Sequence, residues 1–280
     1  MSAETTLSTF VASDGDNLAV QDWPLEPGQA LRGVVVVVHG LGEHAGRYDH
    51  VARRLNHWGF AVRGFDQYGH GESGGPRGGL TSDTRLLDDL ADIVDTTRLR
   101  MQKGTPLILL GHSMGGAVAA MFVSQALRPI DALILSSPAL DPGLNRLQKV
   151  LLATVPRIAP NLRAGNGLDV MKISHDPAVI EDYKKDLLIH NRISARLGAF
   201  IADAGAAIIA GAPRWKLPTL LMYAGADTLV NPQGSRNFGR LAPSNVVTTR
   251  CFETLYHEIF NELEAEPVFA ELKAWLDSRF

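Results

Sequence analysis

A run of four apolar residues in the first half of the chain leads directly into a glycine-rich turn. The sequence Leu107-Ile-Leu-Leu-Gly-His-Ser-Met-Gly-Gly places Ser113 between a buried strand and the small residues that start a helix. This is the G-x-S-x-G pattern of a nucleophile elbow, with a strand before it and a helix after it, as the pattern requires. Gly111 and Gly115 are needed because any side chain there would collide with the neighbouring strand and helix. The run favours a nucleophilic serine over the alternative, an ordinary glycine-rich turn.

Short apolar runs without alternation recur on both sides of this elbow. Strands that are hydrophobic on both faces belong in a parallel sheet that helices cover on both sides. Helical patterns separate the runs, at 85–101 and at 115–127. The order strand, helix, strand, helix predicts an α/β fold with a mostly parallel central sheet flanked by helices. The apolar runs are residues 34–38, 60–65, 107–110, 132–135 and 220–223.

Two other patterns depart from this repeating order. Alternating apolar residues at 10–13 and 18–23 flank Asp14-Gly-Asp, which suits a tight turn, so they predict an opening β-hairpin. The repeating order breaks at about 141–212, where Leu144, Leu147 and Leu151 show helical periodicity and no buried strand is evident. We therefore expect a core made of residues 1–140 and 213–280, with residues 141–212 inserted as a helical cap.

A serine hydroxyl is a poor nucleophile unless a base removes its proton, so a histidine and an orienting carboxylate must accompany Ser113. In nucleophile-elbow enzymes the chain order is serine, acid, histidine. Asp227 follows the run 220–223 in a loop, and His257 is the only histidine that follows Asp227. The rival acids fit less well, because Asp66 precedes the serine and Asp141 opens the insertion. Ser113, Asp227 and His257 are therefore the expected catalytic residues.

The oxyanion that forms during acyl transfer needs two hydrogen-bond donors. They are usually the N–H after the nucleophile and one from the loop after the first buried parallel strand. Here these positions are the N–H groups of Met114 and Leu41, because Gly40 and Gly42 let that loop bend back toward the serine. His39 is interpreted as a structural ligand of the loop rather than as a base.

Composition excludes several other classes of function. The net charge of -3 and the pI near 6.3 provide no broad cationic face for nucleic acid. A single cysteine, Cys251, excludes an intrachain disulfide. The first residues lack the pattern of a secretory signal, and no segment approaches the roughly 18 apolar residues that span a bilayer, so we expect a cytoplasmic protein.

Two motifs compete with the hydrolase interpretation. Gly40-Leu-Gly-Glu-His-Ala45 fits the dinucleotide fingerprint G-x-G-x-x-A, with Asp66 as a possible ribose ligand, but that interpretation leaves Asp227 and His257 unexplained. His257-Glu258 begins like the zinc motif H-E-x-x-H, but Asn261 occupies the second histidine position. No cofactor and no metal are therefore predicted.

Three segments of the core carry a family resemblance, and a fourth lies in the insertion. The segments are His39-Gly-Leu-Gly-Glu-His-Ala-Gly-Arg-Tyr48, Phe65-Asp-Gln-Tyr-Gly-His-Gly-Glu-Ser73, Gly111-His-Ser-Met-Gly-Gly116 and Ser174-His-Asp-Pro-Ala-Val-Ile-Glu-Asp-Tyr-Lys-Lys-Asp-Leu-Leu-Ile-His190. On these residues, the chain resembles the monoacylglycerol lipase family, bacterial type, of the α/β-hydrolase fold. The fourth segment resembles the cap of bacterial members and is more specific to the family than the elbow.

The resemblance implies hydrolysis of a monoacylglycerol to fatty acid and glycerol. It also implies that Glu43 and Arg47 bind the glycerol head, together with Tyr183 from the cap, although the first two can equally form a structural salt bridge. The chain departs from the family at two positions. Leu187 stands where the family often has proline, and Phe260 stands where some animal members carry a further histidine. The second departure puts one head-group contact in doubt.

The cap pattern leaves two interpretations of its outer surface. Around 144–155 apolar residues alternate with Arg146 and Lys149, so the cap either touches a membrane surface peripherally or packs on the core. Three classes of function remain open at this level. They are a monoacylglycerol lipase, a carboxylesterase or lysophospholipase with another head group, and a non-catalytic receptor, which the complete Ser-Asp-His set disfavours.

Overall fold

The computed structural model describes residues 4–280, and for Arg146 and Lys149 it describes the backbone only. The ten strands of this part of the chain are β1 (Thr6–Val11), β2 (Asn17–Trp23), β3 (Gly33–Val38), β4 (Phe60–Phe65), β5 (Leu107–His112), β6 (Ala132–Ser136), β7 (Arg163–Gly165), β8 (Arg192–Ser194), β9 (Thr219–Ala224) and β10 (Val247–Phe252). The helices are α1 (Asp49–His57), α2 (Arg85–Arg100), α3 (Ser113–Ser124), α4 (Arg146–Ile158), α5 (Pro177–Lys185), α6 (Ala195–Gly211), α7 (Pro232–Leu241) and α8 (Glu266–Asp277).

Eight of these strands form one central sheet, in the order β1-β2-β4-β3-β5-β6-β9-β10. The pairs β1/β2 and β2/β4 are antiparallel, and all other neighbours are parallel. The expected mostly parallel sheet flanked by helices is therefore confirmed. Because the carboxyl ends of parallel strands meet at one edge of a sheet, the loops after β3, β5, β9 and β10 lie close together.

The unbroken run of valines in β3 explains why the sheet is covered on both faces. Successive side chains of a strand point to opposite faces. Val34, Val36 and Val38 belong to one buried cluster, together with residues of α2, α3 and α6. Val35 and Val37 belong to a second cluster, together with residues of α1 and α8. Each face of the strand thus has its own layer of helices.

The opening hairpin forms as expected, with a longer first strand. β1 and β2 pair around the Asp14-Gly-Asp turn, where Gly15 adopts a φ of 93° that favours glycine. β1 begins at Thr6, before the first apolar residue of the pattern, because its backbone continues to pair with β2 from Thr6 opposite Asp22. Polar residues at a sheet edge carry no hydrophobic signal for the strand that they extend.

Between β6 and β9 the chain forms α4, α5, α6 and the two short strands β7 and β8. These two strands pair antiparallel and contain three residues each. β7 is exposed along its whole length, so it could not have been recognised as a buried strand. The segment carries its own helices over the edge of the sheet where β5 ends.

One helical stretch corrects the expectation that no segment approaches the length and composition of a membrane span. Ala195–Arg214 is long and apolar enough to cross a bilayer by length and composition alone. Its hydropathy comes from many alanines and scattered larger apolar residues rather than from an uninterrupted run of large apolar residues. In the fold, α6 packs against α3, and an ideal Cβ on Gly205 would lie 2.3 Å from the Leu140 carbonyl oxygen. The same composition therefore suits close packing inside a protein.

Candidate active site

Ser113 lies where β5 ends and α3 begins, two residues before the expected helix start. Its φ of 52° is in the left-handed region, which is unusual for a residue other than glycine. The strand and the helix approach closely on either side. An ideal Cβ on Gly111 would lie 2.5 Å from the Gly115 carbonyl oxygen, and one on Gly115 would lie 2.0 Å from the Val38 carbonyl oxygen. The backbone therefore turns sharply at Ser113, in the geometry of a nucleophile elbow.

His257 and Asp227 come together in the loops after β10 and β9. His257 Nδ1 lies 2.6 Å from Asp227 Oδ2, and both side chains are buried. Asp227 Oδ1 accepts hydrogen bonds from the N–H groups of Leu229 and Val230, at 2.9 and 3.0 Å. Because a carboxylate accepts, Nδ1 carries the ring proton and Nε2 keeps its lone pair. No hydrogen bond joins Ser113 Oγ to His257 among the described residues.

The charges in this pair oppose the effect of burial. Burial acts to raise the pKa of Asp227, but His257 and the two backbone N–H groups hold it below its ordinary value. Burial acts to lower the pKa of His257, but the charge of Asp227 and their hydrogen bond, with Glu258 and Glu43, hold it above its ordinary value. The imidazole is thus a stronger base than a free histidine.

The ring of His112, the residue before Ser113, lies beside the ring of His257. Its ring centroid lies 4.8 Å from that of His257, and its Nδ1 lies 3.0 Å from Ser136 Oγ. Burial, followed by the charge of His257, lowers the pKa of His112 to about 4. It is therefore neutral near pH 7. The sequence offered no signal for this contact, because position 112 is the variable residue of G-x-S-x-G.

The loop after β3, residues 39–44, lies against the nucleophile and is here called the glycine loop. An ideal Cβ on Gly40 would lie 3.2 Å from Ser113 Cβ. His39 Nε2 accepts from the Gln67 N–H at 2.9 Å, so Nδ1 carries the proton and donates to the Gly40 carbonyl oxygen at 2.8 Å. His39 therefore fixes the loop conformation, which agrees with its interpretation as a structural ligand.

The two expected oxyanion donors belong to the glycine loop and to the start of α3, two segments that meet at Ser113. In the described part of the chain, nothing accepts a hydrogen bond from the Leu41 N–H, which belongs to the glycine loop. The Met114 N–H belongs to the first turn of α3, where N–H groups have no acceptor within the helix. Both positions are therefore able to donate to an oxygen bound beside Ser113.

Glu43 and Arg47 are buried in a network of their own. Glu43 Oε1 accepts from the Gly40 N–H at 2.5 Å and from Tyr48 Oη at 2.7 Å. Arg47 Nη1 lies 2.6 Å from Glu43 Oε2. Burial acts to raise the pKa of Glu43, but Arg47, followed by His112, lowers it to about 2. This geometry matches the structural salt bridge that the sequence left open as an alternative.

Arg47 also joins Glu258, a residue with a role that the sequence did not indicate. Its Nη1 and Nη2 donate to Glu258 Oε1 and Oε2, both at 2.7 Å. The guanidinium carbon of Arg47 lies 4.8 Å from the ring centroid of Tyr183, from the cap. In the sequence, Glu258 stands out only as part of an incomplete zinc motif. Its position next to His257 was the available signal.

The segment around His257, residues 253–262, is here called the histidine loop, and it is hydrogen-bonded to residues 173–175. The Ile173 carbonyl oxygen accepts from the Glu258 N–H at 2.8 Å. Glu262 Oε1 lies 2.9 Å from His175 Nδ1 and accepts from the Tyr256 N–H at 2.6 Å. The side chain of Glu262 is 1% exposed. Nothing in the sequence predicted this connection.

The competing motifs find no support in this geometry. Asp66, the possible ribose ligand, already accepts from the Ala45 and Glu72 N–H groups, both at 2.8 Å. Within residues 4–280, no three histidine, cysteine, aspartate or glutamate side chains are grouped to hold a metal ion. Cys251 is a free, half-buried thiol.

Known proteins resemble the chain in sequence and in structure. Residues 29–264 match the family model described as serine aminopeptidase, S33. The chain is 31% identical to a monoacylglycerol lipase of Mycolicibacterium smegmatis, over 96% of each protein. It is 32% identical to an uncharacterized abhydrolase domain-containing protein of Dictyostelium discoideum, over 98% of this chain and 29% of that longer protein. The crystal structure of Paleococcus ferrophilus monoacylglycerol lipase superposes with a TM-score of 0.81 at 32% identity, over 99% of this chain and all of that one.

Proposed function

Since the chain belongs to the monoacylglycerol lipase family and is a serine ester hydrolase of the α/β-hydrolase fold, we propose that it hydrolyses monoacylglycerols to fatty acid and glycerol. The observation that carries the proposal is the serine at φ 52° beside an aspartate-bound histidine. The family model that matches residues 29–264 is described as serine aminopeptidase, so cleavage of an amide is the alternative to cleavage of an ester. The relatives named as monoacylglycerol lipases support an ester rather than an amide.

In the proposed mechanism, Ser113 Oγ attacks the ester carbonyl while His257 Nε2 accepts its proton. The protonated histidine then gives that proton to the glycerol oxygen as the ester bond breaks, which leaves an acyl-enzyme. Water attacks the acyl carbonyl and transfers a proton to the same histidine, and the fatty acid leaves as Ser113 regains its hydrogen. Asp227 keeps Nδ1 protonated throughout, and Ser113 and His257 close to hydrogen-bond distance only with substrate in place.

The N–H groups of Leu41 and Met114 are the proposed oxyanion donors. The segments that carry them meet at Ser113. Within the described chain, neither N–H has a backbone acceptor within a strand or a helix, unlike the N–H groups of paired strands or of the middle of a helix. A donor that is already oriented needs no reorganisation when charge develops on the carbonyl oxygen. The glycine loop contributes Leu41 because His39 and Glu43 hold its backbone from opposite sides.

We place the acyl chain in a groove between residues 141–212, acting as the cap, and the core. A cavity of about 1040 Å³ lies between α4 and α6 on one side and α2 and α3 on the other. Its lining includes Leu140, Leu152 and Phe200, which suit an alkyl chain. Leu140 follows Ala139, whose N–H donates to the Ser113 carbonyl oxygen at 2.9 Å.

The head group has a separate candidate location. A cavity of about 440 Å³ is lined by Asn166, Tyr183 and His190, among others, on the cap side of the glycine loop. Their polar atoms suit the hydroxyls of glycerol. Tyr183 fits the proposed head-group role through this cavity. Glu43 and Arg47 have less support for it, because their polar atoms already bind one another and their neighbours.

A panel of substrates tests the proposal. We expect hydrolysis of monoacylglycerol to exceed that of triacylglycerol, lysophospholipid, a short carboxylic ester and an amino-acid nitroanilide, because the proposed groove and head-group cavity suit one acyl chain and a small uncharged head. Initial rates at equal substrate concentration measure the preference. Faster cleavage of lysophospholipid or of a short carboxylic ester would replace the substrate and keep the mechanism. Faster cleavage of the nitroanilide would make the chain a peptidase.

We also propose that α4 gives the cap a peripheral contact with lipid surfaces. Apolar side chains of this helix and the residues after it are exposed, among them Leu147 (68%), Val150 (58%) and Ile158 (85%). The side chains of Arg146 and Lys149 lie outside the described part. Exposed apolar residues on one helix suit insertion into the boundary between head groups and acyl chains.

Vesicle flotation tests this contact. The protein is expected to float with vesicles that contain anionic lipid at low salt, and the double variant Leu147→Glu and Val150→Glu is expected to stay in the lower fractions. Leu99→Glu in α2 is the matched control, because Leu99 is 86% exposed and lies on a different helix. If the unaltered protein does not float, the proposed contact is wrong.

A further inference from the structure

We infer that the ion pair between Arg47 and Glu258 positions the two halves of the active site, by holding the glycine loop and the histidine loop at a fixed separation. Glu258 is then a positioning residue for His257, and Arg47 positions the loop that supplies Leu41. This inference rests on the proposed function, because it concerns how the same site works. It assigns Glu258 a positioning role, and it assigns Glu43 and Arg47 the same kind of role in place of binding the glycerol head.

The contacts form one continuous path between the loops. On one side, Glu43 Oε1 holds the Gly40 N–H at 2.5 Å, and Gly40 lies against Ser113. In the middle, Arg47 binds Glu43 at 2.6 Å and Glu258 through two bonds of 2.7 Å. On the other side, Glu258 is covalently adjacent to His257, and its own N–H is tied to the cap. A bidentate arginine-carboxylate pair fixes orientation as well as distance.

Burial explains why this network is a poor receptor for a head group. The side chains of Arg47, Glu43 and Glu258 are 11%, 5% and 7% exposed. Asn261 Nδ2 also donates to Glu258 Oε2 at 2.6 Å, so both oxygens of Glu258 have partners. A substrate hydroxyl would have to displace a buried charge from its partner, which costs several kcal/mol. The network is complete without substrate, as a positioning device must be.

The pair also contributes to the electrostatics of the base. The groups that face His257 are Asp227 from the loop after β9, Glu43 from the glycine loop, His112 from the end of β5 and its neighbour Glu258. Burial lowers the pKa of His257, and the three carboxylates raise it. Neutralising Glu258 removes one of them and leaves the positive charge of Arg47 less compensated, so the pKa of His257 must fall.

The decisive variant is Glu258→Gln, which keeps the shape of the side chain and removes its charge. We expect kcat/KM to fall by roughly 10- to 100-fold, by the same factor for monoacylglycerol and for p-nitrophenyl butyrate, since misplaced catalytic groups slow any ester. We also expect the acidic limb of the pH profile of kcat/KM to move to lower pH, because the base loses its proton more readily. Arg47→Lys keeps the charge but cannot make two parallel bonds, so it is expected to slow both esters with a smaller shift of that limb.

Asp22→Asn is the matched control. Arg63 binds Asp22 through two bonds, of 2.6 and 2.9 Å, in a partly buried pair on the β2/β4 side of the sheet. This variant is expected to lower thermal stability without changing kcat/KM or the pH profile. If Glu258→Gln does not fold, Arg47→Lys decides the question on the same measurements.

Three results would overturn the inference. Loss of activity toward the glycerol ester alone would make the pair a head-group site. Unchanged rates in both folded variants would make it structural only, and so would a slower Glu258→Gln enzyme with an unmoved acidic limb. The proposed function fails separately. If the unaltered protein cleaves p-nitrophenyl butyrate and not monoacylglycerol, the substrate is wrong, and the role of the pair is still measured on the nitrophenyl ester.

Discussion

Replacing Ser113 with alanine is expected to reduce ester hydrolysis by about 10⁶-fold, the order of loss that removal of a triad nucleophile causes. The substitution removes the only atom that forms the acyl-enzyme and leaves the oxyanion donors in place. Alanine at φ 52° is no more strained than serine, so the fold should persist. Steady-state rates on monoacylglycerol and on p-nitrophenyl butyrate measure the loss. A fluorophosphonate probe measures whether the Ser113→Ala protein still becomes labelled.

Ser124→Ala is the control for this prediction. Ser124 is the last residue of the same helix, and among the described residues its hydroxyl donates only to Met121, to the carbonyl oxygen at 2.9 Å and to Sδ at 3.5 Å. It should keep both activity and labelling. Labelling of the folded Ser113→Ala protein at wild-type level would place the nucleophile elsewhere. An unlabelled wild-type protein would instead favour the non-catalytic receptor.

Replacing Asp227 with asparagine is expected to lower kcat by about 10⁴-fold while the fold is retained. The carboxylate accepts from His257 Nδ1 at 2.6 Å and thereby keeps the lone pair on Nε2, toward the serine. An amide can donate to Nδ1, which moves the ring proton to Nε2 and blocks its role as a base. The loss should also change with pH, because the charge that raises the pKa of His257 has gone.

The sign of that pH dependence follows from the direction of the shift. His257 works as a base only when neutral, and its pKa in the unaltered protein is raised by Asp227, so kcat/KM should rise with pH through a limb that lies above the ordinary range of a histidine. In Asp227→Asn the limb should lie at lower pH. Asp141→Asn is the matched control, because Asp141 binds Asn231 at 2.7 Å in an exposed contact. A greater loss of kcat in Asp141→Asn than in Asp227→Asn would mean that Asp227 is not the carboxylate that orients His257.

The sequence was most informative where one residue type is required by local geometry. The valines of β3 predicted a strand buried on both faces, and the sheet confirms it. Gly111 and Gly115 predicted a close approach of strand and helix, and their backbones meet with no space for a Cβ. Such positions are readable because the requirement acts within a few residues of the position itself.

Contacts between distant segments were not readable in the same way. Arg47 and Glu258 are 211 positions apart, and no period or motif connects them. Glu262 and His175 are 87 positions apart, and they meet only because residues 173–175 lie against the histidine loop. The apolar α6 was underestimated for another reason, since small residues make a helix hydrophobic on average without any long apolar run. For the two side-chain pairs, the missing information was the tertiary partner.

The attachment of residues 173–175 to the histidine loop has a consequence for how substrate enters. The Tyr256 N–H and His175 Nδ1 both lie within hydrogen-bond distance of Oε1 of the buried Glu262, and the rings of Tyr256 and His175 stack with their centroids 3.6 Å apart. Movement of residues 173–175 would therefore also displace Tyr256, the neighbour of His257. In the part of the chain that the structure describes, α4 makes no backbone hydrogen bond to the histidine loop. We therefore expect substrate to enter from the α4 side, because movement there would leave the neighbours of His257 in place.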